Sequence, residues 1–178
     1  EKIFTDEYRF FEELIHDIFY VLYENFPKLL VTQLNQEVNL RFSEIYLNQD
    51  ITTFHENFKV NFIEKKIMND IQGNHIANIL GKFTTKFGIN FNLTNDERKQ
   101  IYRLAQIRNI ITHNDGVINN VYFASLNKFK ITPKFQLNEK IGKYLEEEFT
   151  QEHEIITKLS KRLIQNITRD INLVKQKN

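Results

Sequence analysis

The chain has 178 residues, with 24 Lys and Arg against 23 Asp and Glu, for a formal net charge of +1. This balance excludes a histone-like polycation, so any contact with nucleic acid must come from a local patch. The absence of Cys excludes a disulfide scaffold, a thiolate zinc site and a cysteine nucleophile. No run of about 18 apolar residues occurs, so we expect no membrane span.

The first half of the chain predicts three helices and a mixed region. With only 5 Gly and 2 Pro, long helices are favoured over many short strands. Apolar residues at three- and four-residue steps predict helices over about 5–26, 52–72 and 75–87. Residues 28–49 are mixed and suggest a short helix followed by another turn or two. Gly73 and Gly88 are the expected stops of the second and third helices.

The best-delimited helix begins at Thr94. Thr94 and Glu97 form a capping-box pattern, in which each side chain bonds the other residue's backbone N–H. The apolar stripe of this helix consists of Ile101, Leu104, Ala105, Ile107 and Ile111. The run 114–116, Asn-Asp-Gly, should close the helix because Asn and Gly tolerate a left-handed turn.

The C-terminal part predicts a short helix over 117–126 and a closing helix, or two in line, over about 139–174. Between them, residues 127–137 indicate a small irregular or hairpin insertion around Pro133. The tail 175–178 is expected to fray. Together, residues 1–178 predict one all-α bundle of five or six helices. Because the chain starts at Glu1, we also expect it to be part of a longer protein.

Arg108 is the residue that packing alone does not explain. It follows Leu104 by four residues and Ile101 by seven, so it lies on the apolar stripe, whereas Arg103, Gln106 and Asn109 lie on its flanks. A cation on that stripe is costly unless it is paired, snorkels to solvent or faces a groove.

His113 follows Arg108 by five residues in the last turn of the same helix. On one continuous helix the two side chains would point about 140° apart. They can converge if the helix unwinds at 114–116 or if a second subunit brings its own copies. A His at this place is also an ordinary C-terminal charge.

The stretch from Arg108 to His113, Arg-Asn-Ile-Ile-Thr-His, resembles the motif of the HEPN superfamily of all-α domains. That motif is Arg, four to six residues and then His, with a polar residue often directly after the Arg. Two further features resemble those of proteins in this superfamily: the continuation His-Asn-Asp-Gly after the motif, and a closing helix that follows an irregular segment. About ten residues carry the motif, and the helical order covers most of the chain.

The resemblance implies a metal-independent endoribonuclease without a cofactor that acts as a homodimer with both motifs at the interface. His113 would transfer protons and Arg108 would clamp the phosphate, while Asn109 orients either group. From its position, and not from the motif, we infer that Asp115 holds the imidazole of His113. Thr112 and Asn114 would support the site. The products would be a 2′,3′-cyclic phosphate and a 5′-OH.

The family also implies a defence or toxin setting in the cytoplasm, with a regulatory or antitoxin partner. RNA contacts could come from Lys99 and Arg103 on the motif helix or from Lys128 and Lys130 near the insertion. Phe129 and Phe135 could stack on bases or plug the core. We expect His153 and the Glu cluster 146–148 to lie on a solvated face of the closing helix, and we expect no metal site.

Two other classes of function stay open. One is a non-catalytic module of a larger protein that binds RNA or nucleotide, or dimerises, and uses Arg108 structurally. The other is a plain helical interaction bundle in which the motif arises by chance. On the bundle reading, Arg108 pairs with a buried carboxylate and His113 points elsewhere.

Overall fold

The computed structural model describes residues 1–26 and 51–177, and this part of the chain forms six α-helices. They are α1 (Lys2–Asn25), α2 (Ile51–Ile71), α3 (Ile76–Phe87), α4 (Asn95–His113), α5 (Asn120–Lys128) and α6 (Leu145–Lys177). A 3-10 turn at Ile141–Tyr144 precedes α6. The predicted all-α class is confirmed. The short helix predicted within 28–49 lies outside the described residues.

Local signals set the helix ends. The capping box is present: Thr94 Oγ1 accepts from Glu97 N at 3.2 Å, and Glu97 Oε2 accepts from Thr94 N at 3.0 Å. Gly88 ends α3 with φ of 69°, in the left-handed region that glycine adopts without strain. After α4, Asp115 and Gly116 also take positive φ, and Gly116 N donates to the carbonyl of Ile110.

The C-terminal elements differ from the prediction in their bounds and in the form of the insertion. The helix expected over 117–126 begins at Asn120, because Asn119 Oδ1 accepts from the backbone N of Tyr122 and caps it. The insertion near 127–137 is irregular, and the described residues contain an isolated antiparallel bridge between Val117 and Lys140 instead of a hairpin. Helix α6 runs to Lys177, three residues into the tail where fraying was expected.

Helix α4, which carries the motif, lies at the centre of the bundle and packs against α1, α3, α5 and α6. Its apolar side chains are buried as the stripe predicts, except that Ile110 is fully inside while Ile111 is only partly covered. No helix in the described part combines the length and apolar character that a bilayer crossing requires.

Glu97 ties the first turn of α4 to α6. Its buried carboxylate receives Arg162 Nη1 and Nη2 at 3.0 and 3.1 Å, and Lys158 Nζ lies 3.0 Å away. Burial alone would raise the pKa of Glu97, but hydrogen bonds from Arg162, Thr94 N and Lys158 outweigh it and lower that pKa to about 2. Glu97 therefore serves as both helix cap and interhelical clamp.

We expect Glu97→Gln to lower the free energy of unfolding by about 2 kcal/mol at pH 7, since it weakens charge-assisted hydrogen bonds at a buried position. The folded-state pKa of Glu97 lies below its ordinary value of 4.5. Its stabilisation is therefore complete above that value and is lost as the pH falls towards 2. Urea unfolding between pH 3 and 7 should show the variant and the wild type converging in acid.

Glu13→Gln is the matched control, because Glu13 lies on the surface with Arg9 3.8 Å away. A Glu97→Gln deficit that stays constant across this pH range would contradict the assignment.

Candidate functional site

Arg108 and His113 lie on different sides of α4. The helix is regular from Asn95 to His113, so the unwinding that would bring the two side chains together within one chain does not occur. The five-residue spacing therefore keeps them about 140° apart. Asn109 lies between them around the helix, and Arg108 Nη1 donates to Asn109 Oδ1 at 3.4 Å.

The half-buried guanidinium of Arg108 faces α1. Within the described residues it forms no salt bridge, but it acts electrostatically on Tyr8 and Glu12. Loss of hydration raises the pKa of Glu12, and the positive charge of Arg108 opposes that rise. Sequence reasoning did not single out Tyr8 or Glu12, since nothing in their local pattern shows that α1 crosses α4 at this point.

His113 is exposed and lines a cavity of about 410 Å³ between the end of α4 and the start of α5. Asn109 and Asn114 line the same cavity, so the structure brings three of the predicted residues together. Asn119 and Val121 of α5 complete one wall. A second cavity, of about 460 Å³ between α1 and the turn after α2, contains none of the predicted residues.

The supporting residues make local contacts. The Thr112 hydroxyl donates to the carbonyl of Arg108, and the Asn114 amide donates to the carbonyl of Val117. Asp115 does not hold the imidazole here: its exposed carboxylate receives Lys140 Nζ at 2.9 Å. The reason is the positive φ of Asp115, which places it in the turn after the helix rather than beside His113.

Arg103 was predicted to contact RNA from a polar flank, but it is enclosed in the fold. Its side chain is 12% exposed, and its Nη2 lies 3.1 Å from Glu148 and 2.5 Å from Gln151 on α6. Glu148 is buried, so the solvated face expected for 146–148 is wrong at this position. The charge of Arg103 is therefore matched inside the α4–α6 contact.

The three lysines predicted to bind RNA are exposed at the end of the α4–α5 pair that lies away from His113. Lys128 precedes Phe129, whose ring stacks on Tyr102 of α4 at 3.8 Å, and Lys130 follows it. Lys99 is three residues before Tyr102. It precedes His113 by two heptads, which places both on one side of α4 about 21 Å apart.

Phe129 and Phe135 pack between structural elements, so their rings are not presented for stacking on RNA bases. Phe129 lies on Tyr102, and Phe135 is buried against Tyr122 and Tyr144. His153 is exposed as predicted, with its Nδ1 2.7 Å from Glu7. Within the residues that the structure describes, no three His, Asp or Glu side chains converge as metal ligands.

Comparison with known proteins adds no assignment: no family model, no curated protein and no solved structure matches this chain. The fold and the site define an all-α bundle whose central helix ends in exposed polar residues. Arg108 and His113 flank that polar surface.

A buried acid of α6, Glu152, lies near Tyr8 of α1. Glu152 is 0% exposed, and neither of its carboxylate oxygens has a hydrogen-bond partner within residues 1–26 and 51–177; the same holds for Oε2 of Glu7. Burial, followed by the nearby charge of Glu7, raises the pKa of Glu152 to about 9. Glu152 is therefore a neutral acid at pH 7, close to the face of α1 that meets Arg108.

We expect Glu152→Gln to raise the free energy of unfolding by several kcal/mol at pH 8, on the order of 4 kcal/mol. In the unfolded chain Glu152 ionises near its ordinary pKa of 4.5, whereas the fold keeps it protonated, so the wild type loses stability as the pH rises above 4.5. Below that pH both states carry the proton and the gain should disappear.

The measurement is chemical unfolding at pH 4 and pH 8, with Glu154→Gln as control because Glu154 is the exposed near neighbour. A gain of equal size at both pH values would show that ionisation of Glu152 is not its cause.

Proposed function

We propose that this protein is a metal-independent endoribonuclease of the HEPN type. The proposal rests on the arrangement of side chains in the last two turns of α4. There Arg108 lacks a carboxylate partner among the described residues, Asn109 binds it, and His113 stands exposed beside a cavity. A guanidinium that forms no salt bridge in the described part of the chain, on the same helix end as an accessible imidazole, suits a phosphodiester substrate.

The proposed reaction uses the 2′-OH of RNA as the nucleophile. The 2′ oxygen attacks phosphorus and loses its proton, the bond from phosphorus to the 5′ oxygen breaks, and that oxygen takes up a proton. His113 moves these protons, and Arg108 stabilises the added charge on the phosphoryl oxygens. The products are a 2′,3′-cyclic phosphate and a 5′-OH. No cofactor is required, and DNA is not cut.

The proposal includes a homodimer, because one chain separates the two groups. With Arg108 and His113 about 140° apart on a straight helix, one phosphate cannot easily meet both in a single copy. A two-fold contact at the end of α4 would place Arg108 of one copy opposite His113 of the partner subunit. We place the enzyme in the cytoplasm, in a defence or toxin role under a regulatory partner.

A second function is favoured by the same separation of Arg108 and His113. A binding module needs cations and a pocket but no proton transfer. Exposed Lys99, Lys128 and Lys130 with the cavity beside His113 would suit RNA or a nucleotide without any cleavage. The next experiment separates the two functions.

We expect the wild type to cut a labelled single-stranded RNA in EDTA and to leave the matching DNA intact. Arg108→Ala and His113→Ala should each lower the rate at least about a hundredfold, because each removes a group that acts in the transition state. Lys140→Ala, a variant near the turn but outside the proposed machinery, is the control. RNA binding without cleavage by the folded wild type would establish the binding module instead.

Co-expression tests whether two chains share one site. If Arg108 of one copy works with the partner's His113, a purified heterodimer of Arg108→Ala and His113→Ala chains contains one complete and one empty site. It should recover about half of the wild-type rate, while each homodimer is inactive. An inactive heterodimer would place the reacting pair within a single chain.

A further inference from the structure

The cavity beside His113 is lined mainly by carboxamides. Gln106, Asn109 and Asn114 come from α4 and its closing turn, and Asn119 comes from the cap of α5. Ile110, Val121 and Tyr122 supply the apolar part of the wall, and His113 contributes an imidazole to the lining. Its volume of about 410 Å³ lies in the range of small-molecule sites.

Each of the three Asn side chains has one polar atom committed to the fold. Asn109 Oδ1 accepts from Arg108, Asn119 Oδ1 accepts from Tyr122 N, and Asn114 Nδ2 donates to the carbonyl of Val117. These bonds fix which end of each amide is internal. In the described part of the chain they leave Nδ2 of Asn109, Oδ1 of Asn114 and Nδ2 of Asn119 without a partner.

Gln106 is the strongest sign that the cavity takes a ligand. Its side chain lines the cavity and the residue is only 8% exposed, yet within the described residues neither end of its carboxamide has a hydrogen-bond partner. The amide atoms of Gln106 are not among the buried atoms without a partner, so they open into the cavity, where water or a ligand can bond them. Gln106 offers a donor and an acceptor side by side.

We propose that this cavity is a nucleobase subsite, which holds a base of the RNA strand next to His113. The inference rests on the proposed function and deepens it, because it names what positions the substrate. Amide side chains pair with base edges, which also present adjacent donors and acceptors. Ile110 and Val121 can cover the faces of the ring. Val121 is a large apolar side chain that is 67% exposed, and a bound base would shield it.

The lining chemistry favours a base over the other parts of a nucleotide. Among the residues that the structure describes, no Lys or Arg lines the cavity to bind a phosphate, and no Asp or Glu lines it to attract a cation. A phosphate following the bound base would instead meet His113 at the rim. In the proposed dimer, the partner subunit's Arg108 would reach that phosphate from across the two-fold contact.

The test uses four oligonucleotides of DNA that each contain one ribonucleotide, A, C, G or U, with identical flanks. Only the single 2′-OH allows cleavage, so the four rates report the base alone. We expect the wild type to cut its best substrate at least about tenfold faster than its worst. Gln106→Leu should reduce that ratio to within about threefold, because it removes the adjacent donor and acceptor of the amide while keeping the side-chain volume nearly unchanged.

Gln100→Leu is the matched control, since Gln100 is exposed on the same helix. It should keep the wild-type ratio. Equal wild-type rates on all four substrates, or an unchanged ratio in Gln106→Leu, would overturn the base subsite while leaving the nuclease intact.

If the wild type cuts none of the four, the nuclease proposal fails and the subsite is tested by binding. Titration with the four ribonucleoside 5′-monophosphates, followed by NMR, should shift the backbone signals of His113 and Val121 in the wild type and in Gln100→Leu, but not in Gln106→Leu. Acetyl-glycine amide is the comparison probe. Shifts of the same size with that peptide amide, or none with any nucleotide, would overturn the proposal.

Discussion

The carboxylate of Glu97 is the constraint on which the position of the site depends. It caps the start of α4 through Thr94 and at the same time binds Arg162 and Lys158 of α6. A buried charge is tolerated only when it is matched this fully. Because α4 is a regular helix, fixing its first turn fixes the direction in which its last two turns leave the core. Arg108 and His113 are therefore positioned by a contact about 16 Å and about 24 Å away, respectively, along the helix.

Two buried acids of α6 are accommodated in two different ways. Glu148 is matched by Arg103 and Lys134, and this joins the middle of α4 to the start of α6. One turn further on, Glu152 meets another carboxylate, that of Glu7, and the fold keeps it neutral. The first acid anchors the helices, whereas the second costs stability at neutral pH. Glu152 and Arg108 both act electrostatically on Tyr8, so that cost lies near the surface that presents Arg108. Functional sites commonly accept such costs.

The features that the sequence predicts correctly are those decided within about four residues. The capping box at Thr94 and the glycine stop at Gly88 are local hydrogen-bonding and backbone effects. Burial of polar side chains was not predictable in this way. Arg103 and Gln106 stand at flank positions and Glu148 ends a run of three Glu, yet all three are enclosed. Their burial depends on which helices pack together, information that no short window of sequence contains.

The candidate site likewise has a part that the local sequence predicts and a part that depends on how the helices pack. The helical spacing already predicts that Arg108 and His113 diverge, and the regular helix keeps them apart. What spacing could not predict is the wall opposite His113, because Asn119 and Val121 reach it only after the turn at 114–116 sends the chain back along α4. One copy thus has a pocket beside its imidazole, and the guanidinium of Arg108 lies on the adjoining face of α4. On the proposal of a shared site, a partner that covers the end of α4 would complete that site, so assembly and activity would be controlled at one surface.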